Sequence, residues 1–373
     1  MYFQNLNDMR SRLEAELEFS AARPAQDCWV EAPLVLLGSG SVYAQPFIAF
    51  ALGGLKVVAC VDNLRRGQRQ GDLVVQGDDA LPELIQKHPQ ALGVLCCQSD
   101  GAVGHFSQKW RGTGRPLVNM FEVMRAHGHD GGPDYYLHFQ QRDVLKHIYE
   151  ECWPRFTDEE SQRSFLSVLL FRATLAQFWL EAIRLPYDDM YFFTSGLAVS
   201  DDEVFVDVGS FNGDSLTQFL RRVGAGYRHI HAMEPDPLNF EQLKRNFGHL
   251  PRSTLHDCGL WHQSTQASIQ LNGLGSYMDT RPGAVTVRVQ ALDDMDLGPI
   301  SFLKMDIEGA EVPALEGARQ TIQRDKPKLA IAAYHKADDL PCLIRAISAI
   351  REDYRFTLRH HSPFFRDTIL MAE

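Results

Sequence analysis

The sequence predicts two α/β units, each a Rossmann-like parallel sheet, with an antiparallel strand pair at the edge of the second. Three observations lead there. Apolar strand-like runs alternate with helical stretches in two separate parts of the chain, the first strand of each part runs into a glycine turn, and the chain finishes on two strand-like runs joined by "SPFFR". Alternation of this kind builds parallel sheets with crossover helices. A chain of 373 residues is also longer than one ordinary core holds. The expected boundaries are a helical segment over 1–30, a Rossmann-like accessory domain over 31–120, a loop and helical connector over 121–200, and a second, larger domain over 201–373.

Residues 34–37 read as the first strand, "GSGSVYAQP" as the turn into a helix, and "KVVACVDN", "QALGVLCCQ" and "RPLVNM" as further strands. "RAHGHDGGPDYY" is rich in Gly and His and reads as a loop. Thr157 stands three residues before Glu160, a capping box that predicts a long helix through "FLSVLLFRATLAQFWLEAI". From Val204 the pattern becomes regular, with strands expected at 204–208, 229–233 and 254–257. "ASIQLN" and "AVTVRVQ" alternate as a hairpin with one wet face. "SFLKMD", "KLAIAAY", "YRFTLRHH" and "DTILMAE" complete the second sheet, with His360 and His361 expected at the surface of its edge hairpin.

Composition narrows the function. A formal charge of −11 disfavours non-specific nucleic-acid binding, which needs a basic face. No apolar run reaches about 18 residues, so no membrane span is expected, and the N-terminal residues lack a signal-peptide pattern and read as a short amphipathic helix. The seven cysteines are odd in number and form no CxxC, which suits reduced thiols and a cytoplasmic location. His127, His129 and Asp130 are ligand types at close spacing, but no second cluster accompanies them, so no metal is expected.

The two glycine turns differ in chemistry. Gly38, Gly40 and Ala44 form a loosened dinucleotide fingerprint, and Asp62, closing the second strand, is placed to hold a ribose hydroxyl. The same turn also suits a scaffold that packs tightly and binds nothing. In "FVDVGSFNGDS", by contrast, Asp207 precedes Gly209 and Gly213. A carboxylate there repels a diphosphate and suits the ammonium and sulfonium charges of S-adenosylmethionine. Glu234 closes the next strand, where it can accept two hydrogen bonds from ribose hydroxyls, and Asp257 closes the third, where it can accept one from an adenine amino group. "ISFLKMDIEGAEVPALEGA" then places Asp306 at a strand end facing the ligand crevice, with Glu308 and Glu311 at the start of a helix whose first turn tolerates Pro313. Lys304, inside that strand, reads as the buried partner of an acid.

Taken together, "FVDVGSFNGDS", "AMEPDPLNFEQLKRN", "VRVQALDDM", "FLKMDIEGAEVPALEGA" and "AAYHKADDL" resemble FkbM-type methyltransferases over residues 185–373, and the first part resembles the Rossmann-like domains that precede this unit in longer relatives. The resemblance implies a class I S-adenosylmethionine-dependent sheet and O-methylation of a sugar or small metabolite. It puts Asp207, Gly209, Gly213 and Glu234 on cofactor-binding positions, with Asp257 and Cys258 matched by strand position and Ser210 placed to touch the methionyl group. Asp306 and His335 are the candidates for accepting the acceptor's proton; His335 is equally suited to bonding a loop carbonyl. The expected partner is a small-molecule hydroxyl, with neither nucleic acid nor membrane involved and a homo-oligomer allowed. Two other functions stay open through the first unit: a nucleotide-sugar oxidoreductase, and a non-catalytic nucleotide-binding protein.

Overall fold

A computed structural model describes residues 5–18, 31–41, 44–97, 99–127, 142–192, 198–270, 277–278 and 285–373. His129, Asp130 and Cys28 lie outside them. The chain forms two compact units: Met1–Lys146 with Leu166–Ala182 and Pro363–Phe365, and His147–Phe165 with Ile183–Ser362 and Arg366–Glu373. The stretch expected as one connector over 121–200 is thus divided between them.

In the first unit a helix, α1 (Leu6–Glu18), buries Met9 and Leu13. A four-stranded parallel sheet follows, made of β1 (Leu34–Leu37), β2 (Val57–Val61), β3 (Leu92–Leu95) and β4 (Leu117–Asn119) in the order β2-β1-β3-β4. All four residues of β1 are buried, as a parallel strand covered on both faces requires. β1 ends at Gly38, whose φ of +82° and close approach to Cys97 leave no room for a side chain. Asp62 accepts from the Leu64 amide at 3.0 Å, and the Arg65 guanidinium donates to the Ser39 carbonyl at 2.7 Å.

The second unit centres on a seven-stranded sheet. Its strands are β5 (Val204–Val208), β6 (His229–Met233), β7 (Ser253–His256), β12 (Phe302–Met305), β13 (Lys328–Ala332), β14 (Phe356–His360) and β15 (Thr368–Ala372), in the order β14-β15-β13-β12-β5-β6-β7. Only β15 runs antiparallel to its neighbours, so the closing pair is an antiparallel edge. A smaller sheet is built from β8 (Gly259–Leu260), β9 (Thr265–Gln270), β10 (Tyr277–Met278) and β11 (Val285–Gln290), and the alternating pair β9 and β11 forms the expected antiparallel ladder. One face of the large sheet packs an aromatic core. Phe205 stacks on Phe219 of α2 (Asp214–Val223) at 4.5 Å between centroids and meets Phe302 and Phe192 edge-on at 5.4 and 5.5 Å.

Two local expectations are corrected. The helix expected from Thr157 starts at Glu159 and is capped by Asp158, whose carboxylate accepts from the Ser161 amide at 2.8 Å; it ends at Thr174, before Leu175 in the left-handed region. Asp158 prevails because its carboxylate is the stronger N-cap acceptor. His360 and His361 are buried, bonded to the Thr368 hydroxyl at 2.8 Å and the Pro186 carbonyl at 2.9 Å, and burial lowers the His361 pKa to about 4. Their strand has cover on both faces, which a terminal pair read in isolation does not reveal. The Asp293 carboxylate accepts from the Gln320 and Thr321 amides, each at 2.8 Å. Among the described residues no helix is long and apolar enough to cross a membrane.

Phe205→Ala is expected to remove about 3–5 kcal/mol of stability, because the rigid aromatic layer around it cannot close the cavity. Denaturant titration of the full chain measures this, with the loss appearing in the transition of the second unit.

Candidate active site

In this topology the carboxyl ends of β12, β5, β6 and β7 face one crevice, where doubly wound sheets bind ligands. Asp207 and Lys304 sit directly opposite each other in the β5–β12 register. Both are buried, with Lys304 Nζ 2.9 Å from Asp207 Oδ1, while the other carboxylate oxygen accepts from the Ser215 hydroxyl at 2.5 Å. Nζ also donates to the Gly209 and Val208 carbonyls at 2.7 and 3.2 Å. Burial alone would lower the Lys304 pKa, but Asp207, Asp306 and Asp214 outweigh it and hold it above its ordinary value. Lys304 is therefore the partner of an acid, as its place in the strand suggested. The Asp207 charge is thereby matched by Lys304 beneath the turn.

The turn itself needs its glycines. Gly209 has φ +75°, and a Cβ there would fall 1.9 Å from the Asp306 carbonyl; Gly213 has φ +95°, and a Cβ would fall 2.0 Å from the Phe247 ring. The Ser210 hydroxyl is committed within the protein, donating to the Asp207 carbonyl at 2.9 Å and accepting from the Met233 amide at 3.1 Å. It locks β5 to β6 and does not project as a ligand-contacting group. Glu234 is buried at the end of β6, and its two oxygens accept from the Phe211 and Asp236 amides at 2.8 and 2.9 Å. Burial raises its pKa to about 7 despite those amides. Each oxygen keeps a lone pair for a further donor. Asp257 is exposed and paired with Arg288 at 2.6 Å, so a ligand amino group there would compete with a guanidinium. Cys258 is buried, and burial raises its thiol pKa to about 11, which marks it as packing. A cavity of about 410 Å³ opens beside the turn, lined by Asn212, Gly213, Asp214, Asn246 and Phe247 among others; neither Glu234 nor Asp306 lines it.

Beyond the turn, Asp306 and His335 are brought together. Asp306 accepts from the Tyr191 hydroxyl at 2.5 Å and from the Tyr334 hydroxyl at 3.1 Å, and His335 Nε2 lies 3.3 Å from its Oδ1. The same Nε2 is 3.6 Å from Glu308 Oε2, while Nδ1 is 3.0 Å from Glu311 Oε1. His335 thus faces three carboxylates rather than a loop carbonyl. Burial would lower the imidazole pKa, but Glu311, Asp306 and Glu308 outweigh it and hold it well above the usual histidine range. Burial would raise the Asp306 carboxyl, yet His335, Lys304 and Tyr191 hold it well below the carboxylate range. Neither expected proton acceptor is therefore a free base. Glu308, first read only as a helix-start acid, sits at φ +56° and is pushed by burial to about 7. Tyr191 and Tyr334 were not singled out; the adjacency of Tyr334 to His335 at the end of β13 was the one local hint.

Comparisons with known proteins agree on this unit. Residues 207–357 match the model of the methyltransferase FkbM domain. Residues 207–357 are an FkbM methyltransferase domain. The crystal structure of methyltransferase FkbM from Methylobacillus flagellatus KT superposes with a TM-score of 0.80 at 29% identity, covering 99% of this chain and 100% of that one. The 2-O-methyltransferase NoeI of Sinorhizobium fredii (strain NBRC 101917 / NGR234) is 24% identical over 173 residues, 39% of this chain and 70% of NoeI.

Removing one member of the buried pair, as in Asp207→Ala, is expected to cost about 3–5 kcal/mol by stranding the Lys304 charge. The double variant Asp207→Leu with Lys304→Met should be closer to the wild type than the sum of the two single losses. Denaturant midpoints for the full cycle check this.

Proposed function

We propose that the chain is an S-adenosylmethionine-dependent O-methyltransferase acting on a hydroxyl of a sugar or small metabolite. The observation that carries the reading is the convergence, at adjacent strand ends, of the left-handed Gly209 turn, the buried acceptor Glu234 and the Asp306–Tyr191–Tyr334–His335 cluster. The residues fit the cofactor. The Gly209–Gly213 turn brings bare backbone to its amino-acid end, and Glu234 has lone pairs for ribose hydroxyls. Because Lys304 matches Asp207, the negative field that favours the cationic methionyl and sulfonium groups comes from Asp306 and Glu308 rather than from Asp207. The adenine position is the least defined part, since Asp257 is held by Arg288.

The cofactor supplies the reactive methyl group. The protein holds the acceptor oxygen in line with the methyl carbon and sulfur and excludes water. With the cofactor held by the Gly209–Gly213 turn and Glu234, transfer of its methyl group to the acceptor oxygen would release S-adenosylhomocysteine, and Glu308, whose carboxyl is pushed by burial to about 7, would take up the hydroxyl proton beside Asp306. Similarity to NoeI, named a 2-O-methyltransferase, supports a hydroxyl acceptor. Asp207, Gly209, Ser210 and Gly213 shape the turn, and Asp306 with His335 lies on the acceptor side.

Calorimetry against S-adenosylmethionine and NAD separates this reading from an oxidoreductase or nucleotide-binding role of the first unit. Binding of S-adenosylmethionine that weakens tenfold or more in Glu234→Gln, about 1.4 kcal/mol, is the expected result. Binding of NAD alone would overturn it. The same substitution carries a second signature. Glu234 has a folded pKa of about 7 against an ordinary 4.5, so the folded protein binds more protons than the unfolded chain between those values. Its contribution to stability is present below pH 4.5 and is lost as pH rises to about 7, a fall of about 3 kcal/mol. Glu234→Gln should flatten that part of the stability–pH curve.

A further inference from the structure

One carboxylate oxygen each of Asp306 and Glu308 and a His335 ring nitrogen all lie within 4.8 Å of one another. The nitrogen facing the two acids is Nε2, at 3.3 Å from Asp306 and 3.6 Å from Glu308. These spacings suit ligands of one ion. Two atoms bound at about 2.1 Å lie about 3.0 Å apart at right angles and about 3.4 Å apart at the tetrahedral angle. His335 is 5% exposed, and neither ring nitrogen makes a hydrogen bond of good angle. The buried imidazole is aimed at both acids across gaps of 3.3 and 3.6 Å, which leaves a position between the three side chains where an ion can sit.

The surroundings match the support that metal ligands require. Nδ1 lies 3.0 Å from Glu311 Oε1, which orients the ring so that Nε2 faces Asp306 and Glu308. Glu311 is itself fixed by the Ile307 and Gly309 amides at 2.9 and 3.4 Å. The Tyr191 and Tyr334 hydroxyls hold Asp306 from behind. Glu308 reaches the imidazole because it and Gly309, at φ +56° and +90°, reverse the chain. Asp306 and Glu308 keep partial exposure, with side chains 18% and 26% accessible, so positions remain open for water or substrate.

We propose that Asp306, Glu308 and His335 form a binding site for one divalent cation, of the class that accepts mixed carboxylate and imidazole ligands, such as Mn²⁺. A cation there would bind the acceptor hydroxyl and lower its pKa. That catalytic role rests on the methyl-transfer reading; binding of the ion does not.

The test is titration of the full chain with Mn²⁺, followed by electron paramagnetic resonance of the free ion, beside calorimetry with S-adenosylmethionine on the same samples. One Mn²⁺ per chain, bound at least tenfold more weakly by Glu308→Gln and by His335→Gln while both variants keep the far-ultraviolet circular dichroism of the wild type, is the expected result. Failure of the wild type to bind Mn²⁺ at millimolar concentration would overturn the site, as would undiminished binding by both variants. Mn²⁺ binding without S-adenosylmethionine binding would keep the site and sink the methyl-transfer reading.

Discussion

The buried contact between Asp207 and Lys304 is the constraint on which the rest of the second unit depends. It joins the two central strands at the level where the crevice opens, and Lys304 also gathers the carbonyls of Val208 and Gly209. Removing two charges from water is expensive and is offset only when every polar atom finds a partner. Here the Ser215 hydroxyl completes the set on the carboxylate, and the Tyr191 ring lies 5.1 Å from the ammonium. The pair therefore fixes where the turn begins, and Gly209 then passes so close to the Asp306 carbonyl that the two loops are positioned together. The glycine turn and the acid cluster are thereby built together.

That construction redistributes the charge. With Asp207 matched, the field over the crevice is set by Asp306, Glu308, Glu311 and Glu234, and His335 is the cation among the first three. Placing one imidazole among three carboxylates keeps it protonated when nothing else is bound, so a simple histidine base is a poor description of this geometry. A site rich in partly desolvated acids favours positively charged ligands. A sulfonium and a divalent cation both answer to that description.

Much of this was legible in the sequence because strand ends are legible. Asp207, Glu234 and Asp306 each close an apolar run, and the glycines mark the turn by residue type alone. Lys304 was readable as the partner of an acid because a lysine inside an apolar strand has few other stable places. Its partner was not readable, since the pairing depends on the register between β5 and β12. The Tyr191 hydroxyl on Asp306 bridges 115 positions of sequence and left no local pattern. The burial of His360 and His361 depends likewise on packing from distant parts of the chain. The Ser210 hydroxyl shows the opposite failure: position suggested a ligand contact, but the backbone of the neighbouring strand claimed it first.

The most direct measurement is a crystal structure of the full chain grown with S-adenosylhomocysteine. The account predicts the amino-acid end of the ligand beside the Gly209–Gly213 turn, ribose hydroxyls on Glu234, and the sulfur turned toward Asp306. A ligand bound at the Gly38–Gly40 turn of the first unit, or one in the second unit without contact to Glu234, would contradict it.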